Sequence, residues 1–361
     1  MNLRIPGPTP LPENVLKIMS KQMINHRGVE FGQILNSVTA NLKAMFQTKN
    51  DVFLYTTSGT GGLEAAVVNT LSPGDKVLAV VTGVFGERFA QIAEAYGADV
   101  TRLVFKFGNG ADPDKVKQSL DDDPSIKTVL VTHNETSTGV TNDLEALAAV
   151  VKKYDKLLLV DAISSLGCID LRVDDWNCDV VVTGSQKGWM APPGVAMLSF
   201  SAKAWEAVEK SKMPNFYFDV KKAKSSLEKG QTPWTPGIST FYALYVALNG
   251  MVKEGLDSVF ARHIKMAQKT RGGLKAMGLT LFADPIYASD TITSVKVTGG
   301  LDAIKLLKIL LEEHDTIIAG GQANLIGKIL RVGHLGCVVE SEIDAVLDAL
   351  RQALPKAGFK T

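Results

Sequence analysis

The sequence predicts an α/β fold: a large domain with a mostly parallel seven-stranded sheet sandwiched by helices, a smaller C-terminal α+β domain and an N-terminal extended arm. Three observations carry this expectation. Between residues 51 and 200, short apolar runs alternate with segments of helical period, the rhythm of strands joined by crossover helices. Runs such as Leu157-Leu158-Leu159-Val160 and Val180-Val181-Val182 are continuous rather than alternating, as in strands covered on both faces. Beyond residue 250 the order changes to long helices with isolated apolar runs, which marks a second unit. The boundaries read from these changes are 1–15 for the arm, 16–250 for the large domain and 251–361 for the small one.

The arm is extended because Pro6, Pro8, Pro10 and Pro12 remove backbone donors, and such an arm suits a subunit interface. Helical spacing covers about 13–23 and 29–47, the second through Phe31, Ile34, Leu35, Val38, Leu42 and Met45. A strand over 51–57 leads into Ser58-Gly59-Thr60-Gly61-Gly62 and a helix from Leu63 to about Leu71. Strands follow at 76–81, 99–104, 127–132, 157–160, 179–183 and 194–200, with helices at 85–96, 112–120 and 143–153 between the first of them. The stretch 214–237 fits neither pattern, and its basic run Lys221-Lys222-Ala223-Lys224 reads as a solvated face. Helical spacing resumes over 239–277 with a break near Gly255; apolar runs at 279–282, 292–297 and 329–332 and helices at 301–313 and 340–353 complete the chain.

The 361 residues carry 39 Lys and Arg against 38 Asp and Glu, so no basic field is present to attract nucleic acid. Cys168, Cys178 and Cys337 are too few and too dispersed for a disulfide framework or a metal-ligand spacing, and no metal is expected. The first residues lack the apolar stretch of a secretory signal, and no apolar run approaches the roughly 20 residues of a membrane helix. A cytoplasmic protein, away from membranes, is the expectation.

Two strand ends carry chemistry. Leu157 to Val160 ends in Asp161, and Val180 to Val182 is followed by Gly184-Ser185-Gln186-Lys187. Ligands of open parallel sheets bind at the carboxyl ends of strands, so neighbouring strands would aim both side chains into one crevice. A lysine losing hydration there is a nucleophile toward an aldehyde, and a carboxylate holds a protonated pyridine nitrogen; pyridoxal 5'-phosphate (PLP) requires both. The glycine-rich turn at 58–62 is either a phosphate cradle at a helix start or an ordinary strand-to-helix turn.

Taken in order, Ile5-Pro6-Gly7-Pro8-Thr9-Pro10, Ser58-Gly59-Thr60, Thr132-His133-Asn134-Glu135-Thr136-Ser137-Thr138-Gly139-Val140, Val160-Asp161, Gly184-Ser185-Gln186-Lys187, Ala191-Pro192-Pro193-Gly194 and Leu330-Arg331-Val332-Gly333 resemble the alanine-glyoxylate and serine-pyruvate aminotransferases. These form part of the class V branch of fold-type I PLP enzymes, and the match runs from about residue 4 to residue 350. The resemblance implies that Lys187 forms an internal aldimine and shuttles protons, and that Asp161 faces the pyridine nitrogen. It implies that Phe85 stacks on the ring, that Thr136 (or its neighbour Thr138) bonds the phenolic oxygen, and that Ser58, Gly59, Thr60 and Gln186 hold the phosphate. Thr232 of the partner subunit would complete the phosphate site, with Trp234 as an alternative that stacks. Arg331 would clamp the substrate carboxylate. His133 reads as a hydrogen-bonded structural histidine.

The function so implied is a ping-pong transfer from alanine or serine to glyoxylate or pyruvate in a homodimer with shared active sites. Alternatives within the class are an aspartate or aminoethylphosphonate transaminase, or a lyase or cysteine desulfurase. Cys337 lies too close behind Arg331 for a mobile sulfur-carrying loop, and reads as a structural thiol. A non-enzymatic protein of the same fold is disfavoured because Lys187 and Asp161 are both present.

Overall fold

The computed structural model describes residues 1–360. Its central sheet has seven strands in the order Val52–Tyr55, Ala196–Phe200, Val180–Gly184, Leu157–Asp161, Thr128–Thr132, Lys76–Val81 and Asp99–Val104. Every pairing is parallel except the two made by Ala196–Phe200, which runs antiparallel to both neighbours. The continuous apolar runs are buried at each position of Thr128–Thr132, Leu157–Asp161 and Val180–Gly184, because helices cover both faces.

Strand alternation sends neighbouring side chains to opposite layers. Leu78, Val80, Leu158, Val160 and Val181 pack with helices Val29–Phe46, Leu144–Lys153 and Ile238–Glu254. Val77, Ala79, Val81, Leu159, Val180 and Val182 pack with Gly59–Thr70 and Val84–Ala95 on the other side. Each fully buried Val or Leu among them contributes roughly 1.5–3 kcal/mol, so the sheet is a rigid platform for what stands on its edge. Helix starts are set by local chemistry: Asp112, Asp143, Ser201 and Asp302 each accept a backbone N–H of the first turn.

A second sheet orders Asn2–Arg4, Thr316–Gly320, Ile329–Gly333 and Ile292–Lys296, with helices Leu256–Ala276, Ala303–His314 and Glu340–Lys356 packed around its core. The extended N-terminal segment thus begins as a strand, parallel to Thr316–Gly320 of its own chain. Neither strand has a sequence signal of its own: three residues are too short for a period, and Thr316-Ile317-Ile318 follows directly on a helix. The run 279–282 makes only an isolated bridge, Leu281 to Val295.

Part of the irregular stretch is helical. Val220–Leu227 starts where the Asp219 carboxylate accepts the amides of Lys221 and Lys222. Its lysines are exposed, as a solvated face requires, and two of them also lie over rings: Lys222 is 4.2 Å over Phe216 and 5.6 Å over Trp234, and Lys224 4.6 Å over Trp205. Eight residues with two buried positions give too weak a period to read in advance.

Candidate active site

Asp161 ends its strand with Thr132 beside it in one neighbour and Val182 in the other. Lys187 leaves the end of the adjoining strand on a turn held from several sides. The Ser185 hydroxyl donates to Pro192 O at 2.6 Å and accepts from Val195 N at 3.2 Å. The buried Trp189 indole donates to Thr183 Oγ1 at 2.8 Å and stacks on Phe46, ring centroids 6.0 Å apart. The Lys187 carbonyl accepts from Thr9 Oγ1 at 3.0 Å and from Met190 N at 3.1 Å, while its Nζ donates to Pro6 O at 2.6 Å. Few backbone freedoms remain to the lysine.

A cavity of about 140 Å³ lies at these strand ends, lined by Ser58, Gly59, Thr60, Phe85, Thr136, Asp161, Gln186 and Lys187. All eight were singled out in the sequence. Burial and the nearby Arg331 and Arg88 lower the Lys187 amine to about 8, against the pull of Asp161. Burial raises the Asp161 carboxyl to about 7, opposed by the Ile163 amide, which donates to it at 2.9 Å. Burial thus favours the uncharged form of both groups and brings both toward neutrality in one low-dielectric space, the arrangement expected of acid–base chemistry.

The start of helix Gly59–Thr70 opens onto the same cavity. Ser58 caps it by accepting Gly61 N at 3.4 Å, while the amides of Gly59 and Thr60 have no acceptor among the described residues. A Cβ on Gly59 would stand 2.6 Å from Ile163 Cδ1, so a side chain there would fill the space. Gln186 Oε1 is buried without a partner. Free backbone amides at a helix start, beside the Ser58 and Thr60 hydroxyls, make an anion cradle.

Arg331 is not on the cavity wall but directly behind it. Its Nε donates to Gly320 O at 2.8 Å and its Nη1 to Thr136 O at 2.9 Å, and burial lowers it to about 10. Thr232 does not line the cavity of its own chain; its hydroxyl donates to Trp234 O at 2.7 Å. His133 departs from expectation. It is buried and set edge-on to Trp176, with burial lowering it to about 4, and its Nδ1 has no hydrogen-bond partner among the described residues. Cys337 is exposed and lies off the cavity.

Comparison with known proteins adds the family. A sequence profile described as Aminotransferase class-V matches residues 1–342. The chain belongs to the class-V aminotransferases. This aminotransferase is 39% identical to the L-aspartate–glyoxylate aminotransferase of Paracoccus denitrificans, over 93% of this chain and 87% of that protein. It is 44% identical to a Synechococcus protein named soluble hydrogenase, small subunit, over 99% of this chain and 94% of that one. Among solved structures, the alanine–glyoxylate aminotransferase of Nostoc sp. superposes with a TM-score of 0.94 at 30% identity, covering 98% of this chain and 95% of that one. The family and its solved members are PLP enzymes. Among the described residues, no helix is long and apolar enough to cross a membrane.

Three polar residues on this aminotransferase's cavity wall were missed from sequence: Arg88, Asn134 and Ser164. Asn134 bonds four hydroxyls, donating to Ser164 and Thr291 and accepting from Thr141 and Ser289, and so ties the cavity to the segment that enters the second sheet. It sits in the motif already noted, masked by the more chemical His133 and Glu135. Glu135 is fully buried and accepts the amides of Phe85 and Gly86 at 2.9 and 3.0 Å, anchoring the helix start that carries Phe85. Arg88 follows Phe85 by three positions on that helix, one helical turn away on the same face.

Proposed function

We propose that this aminotransferase works with PLP, moving the amino group of a small L-amino acid, alanine or serine, to a small 2-oxo acid, glyoxylate or pyruvate. The observation that carries the reading is the convergence of Lys187, Asp161 and the Ser58–Thr60 cradle on one cavity. The residues present suit the cofactor. The cradle amides, the Ser58 and Thr60 hydroxyls and the Gln186 side chain would hold the phosphate; Asp161 would hold the ring nitrogen; Phe85 would lie against the ring and Thr136 near its hydroxyl oxygen. When bound, PLP supplies an aldehyde and an electron sink for the substrate α-carbon.

The chain's own groups do the rest. Lys187, with its amine brought near neutrality, takes and returns the proton at the substrate α-carbon. Arg331, behind Thr136 with its Nη2 not engaged by the two carbonyls, would have to turn toward the cavity to bind the substrate carboxylate and align that carbon. The backbone of Pro6 and Gly7 lies against Lys187, and the cavity of about 140 Å³ beside it suits small donors. Two relatives named for different donors share glyoxylate as acceptor, which supports the acceptor class and keeps L-aspartate as a second donor reading.

The visible absorption of the PLP-loaded protein tests this without any coupling enzyme. Addition of L-alanine or L-serine alone is expected to bleach the band, and glyoxylate or pyruvate to restore it. Bleaching by L-aspartate alone selects the second reading. A band that no donor bleaches counts against amino transfer from any of them.

We propose further that the protein is a homodimer whose active sites are completed across the interface. Exposed Phe216 and half-exposed Tyr217 flank Trp234 in a stacked set, ring centroids 5.0 and 6.0 Å from it, and Tyr217 bonds Thr56 O next to the cradle. Aromatic groups on a surface beside a polar site mark an interaction face. Sedimentation at micromolar concentration should return twice the chain mass of 38.8 kDa; a monomer that retains activity rejects the shared site.

A further inference from the structure

Arg88 projects from helix Val84–Ala95 onto the cavity wall shared by Asp161 and Lys187, with its guanidinium 4.7 Å over the Phe85 ring. Unlike Arg331, it has no hydrogen-bond acceptor and no carboxylate partner among the described residues. A guanidinium keeps its charge at any working pH, and one left unpaired in a partly enclosed space acts on whatever anion shares that space.

The anion is Asp161. Its carboxyl is 3% exposed and accepts one amide bond, from Ile163, so water and hydrogen bonds do little to hold its charge. The charged groups acting on it are Glu135, from the hairpin formed by Asn134–Glu135 and Val140–Thr141, which opposes ionisation, and Lys187 and Arg88, which favour it. His133 on the neighbouring segment is held neutral by burial. Of the two helpful cations, Lys187 loses its charge whenever its nitrogen is deprotonated. Arg88 does not.

We propose that Arg88 is a positioning residue that keeps the Asp161 carboxylate charged toward the ring nitrogen of the cofactor while Lys187 is uncharged. This rests on the PLP reading above. The cation–π contact with Phe85 gives the side chain a second task, holding guanidinium and ring in fixed relation on one helix face. Arg88 also lowers the Lys187 amine, so a test must separate the two effects.

Pyridoxamine phosphate does so, because it carries an amine and forms no bond to Lys187, yet presents the same ring nitrogen to Asp161. Its dissociation constant is measured by fluorescence quenching for the wild type, Arg88→Gln and Arg88→Lys across neutral and alkaline pH. Without Arg88 the Asp161 carboxyl rises further, so at neutral pH a larger share is protonated and unable to pair with a protonated ring. Arg88→Gln is expected to bind about fivefold more weakly at pH 7, the fall in ionised Asp161 when its carboxyl moves up from about 7 by about one pKa unit. The deficit should close at alkaline pH, where Asp161 is ionised in both proteins, and Arg88→Lys should retain the wild-type profile. Equal affinity at every pH overturns the proposal, as does a pH-independent loss that lysine does not restore, which would mark packing alone. No binding by the wild type overturns the cofactor reading and this inference with it.

Discussion

Lys187→Ala is expected to lower turnover by roughly 10⁴-fold or more while leaving the fold intact. The loss has two sources on the same atom. The amine is the cavity's one nucleophile toward an aldehyde, and a positioned acid–base group by itself contributes about 10²–10⁴-fold. Stability moves differently. The amine falls from 10.5 in the unfolded chain to about 8 in the fold. Between those values the native state has released a proton that the unfolded state still holds, so wild-type stability rises with pH across that window. Below it, both states are protonated and the native state carries the full burial penalty, at most about 3 kcal/mol. Alanine removes that penalty together with the bond to Pro6 O. Cofactor-free Lys187→Ala should therefore unfold at or above the wild-type temperature at pH 7, and lose any advantage near pH 10. A marked destabilisation at pH 7 would show that Lys187 is a structural residue, and that its lowered amine has been misread.

The same residues show what a sequence discloses. Asp161 and Lys187 were legible because each follows a continuous apolar run, and the carboxyl end of a buried parallel strand has one place to point. The cradle was legible because glycine after a strand and a capping serine are local signals. Arg88 was not, since an arginine three residues past a phenylalanine on an amphipathic helix looks like any solvated residue. Only the packing of Val84–Ala95 against Lys76–Val81 and Thr128–Thr132 turns that face toward the crevice. Thr316–Gly320 and Asn2–Arg4 were missed for a related reason. Their pairing joins residues more than 300 positions apart, and no window along the chain contains it. Arg331 lies between these cases. Its strand was legible, but its place behind Thr136 depends on the docking of the second sheet against the hairpin that carries Asn134.

Gly7→Ala is the other substitution with a large expected effect, at a residue with no side chain to lose. Gly7 has φ of 122°, a conformation that costs an L-residue about 1–3 kcal/mol. A Cβ there would stand 2.6 Å from Lys187 Cδ and 2.7 Å from Nζ, so the chain must retreat or the lysine must turn. Retreat is opposed on both sides. Before the glycine, Asn2–Arg4 is paired into the second sheet, and Arg4 bonds Glu342 at 2.7 Å. After it, Thr9 N and Thr9 Oγ1 bond the carbonyls of Gln186 and Lys187. The lysine therefore moves, and a displacement of about 1 Å at a reacting group costs on the order of 10²-fold in rate. Because Asp161 and the Ser58–Thr60 cradle lie on other elements, binding of pyridoxamine phosphate, which makes no bond to the lysine, should change by no more than about threefold, against about 1.4 kcal/mol for each tenfold. Loss of turnover with retained binding places the arm as the wall that aims Lys187. Full activity in Gly7→Ala would mean that residues 5–9 lift away from the lysine during turnover, and that the close approach of Gly7 has no part in catalysis.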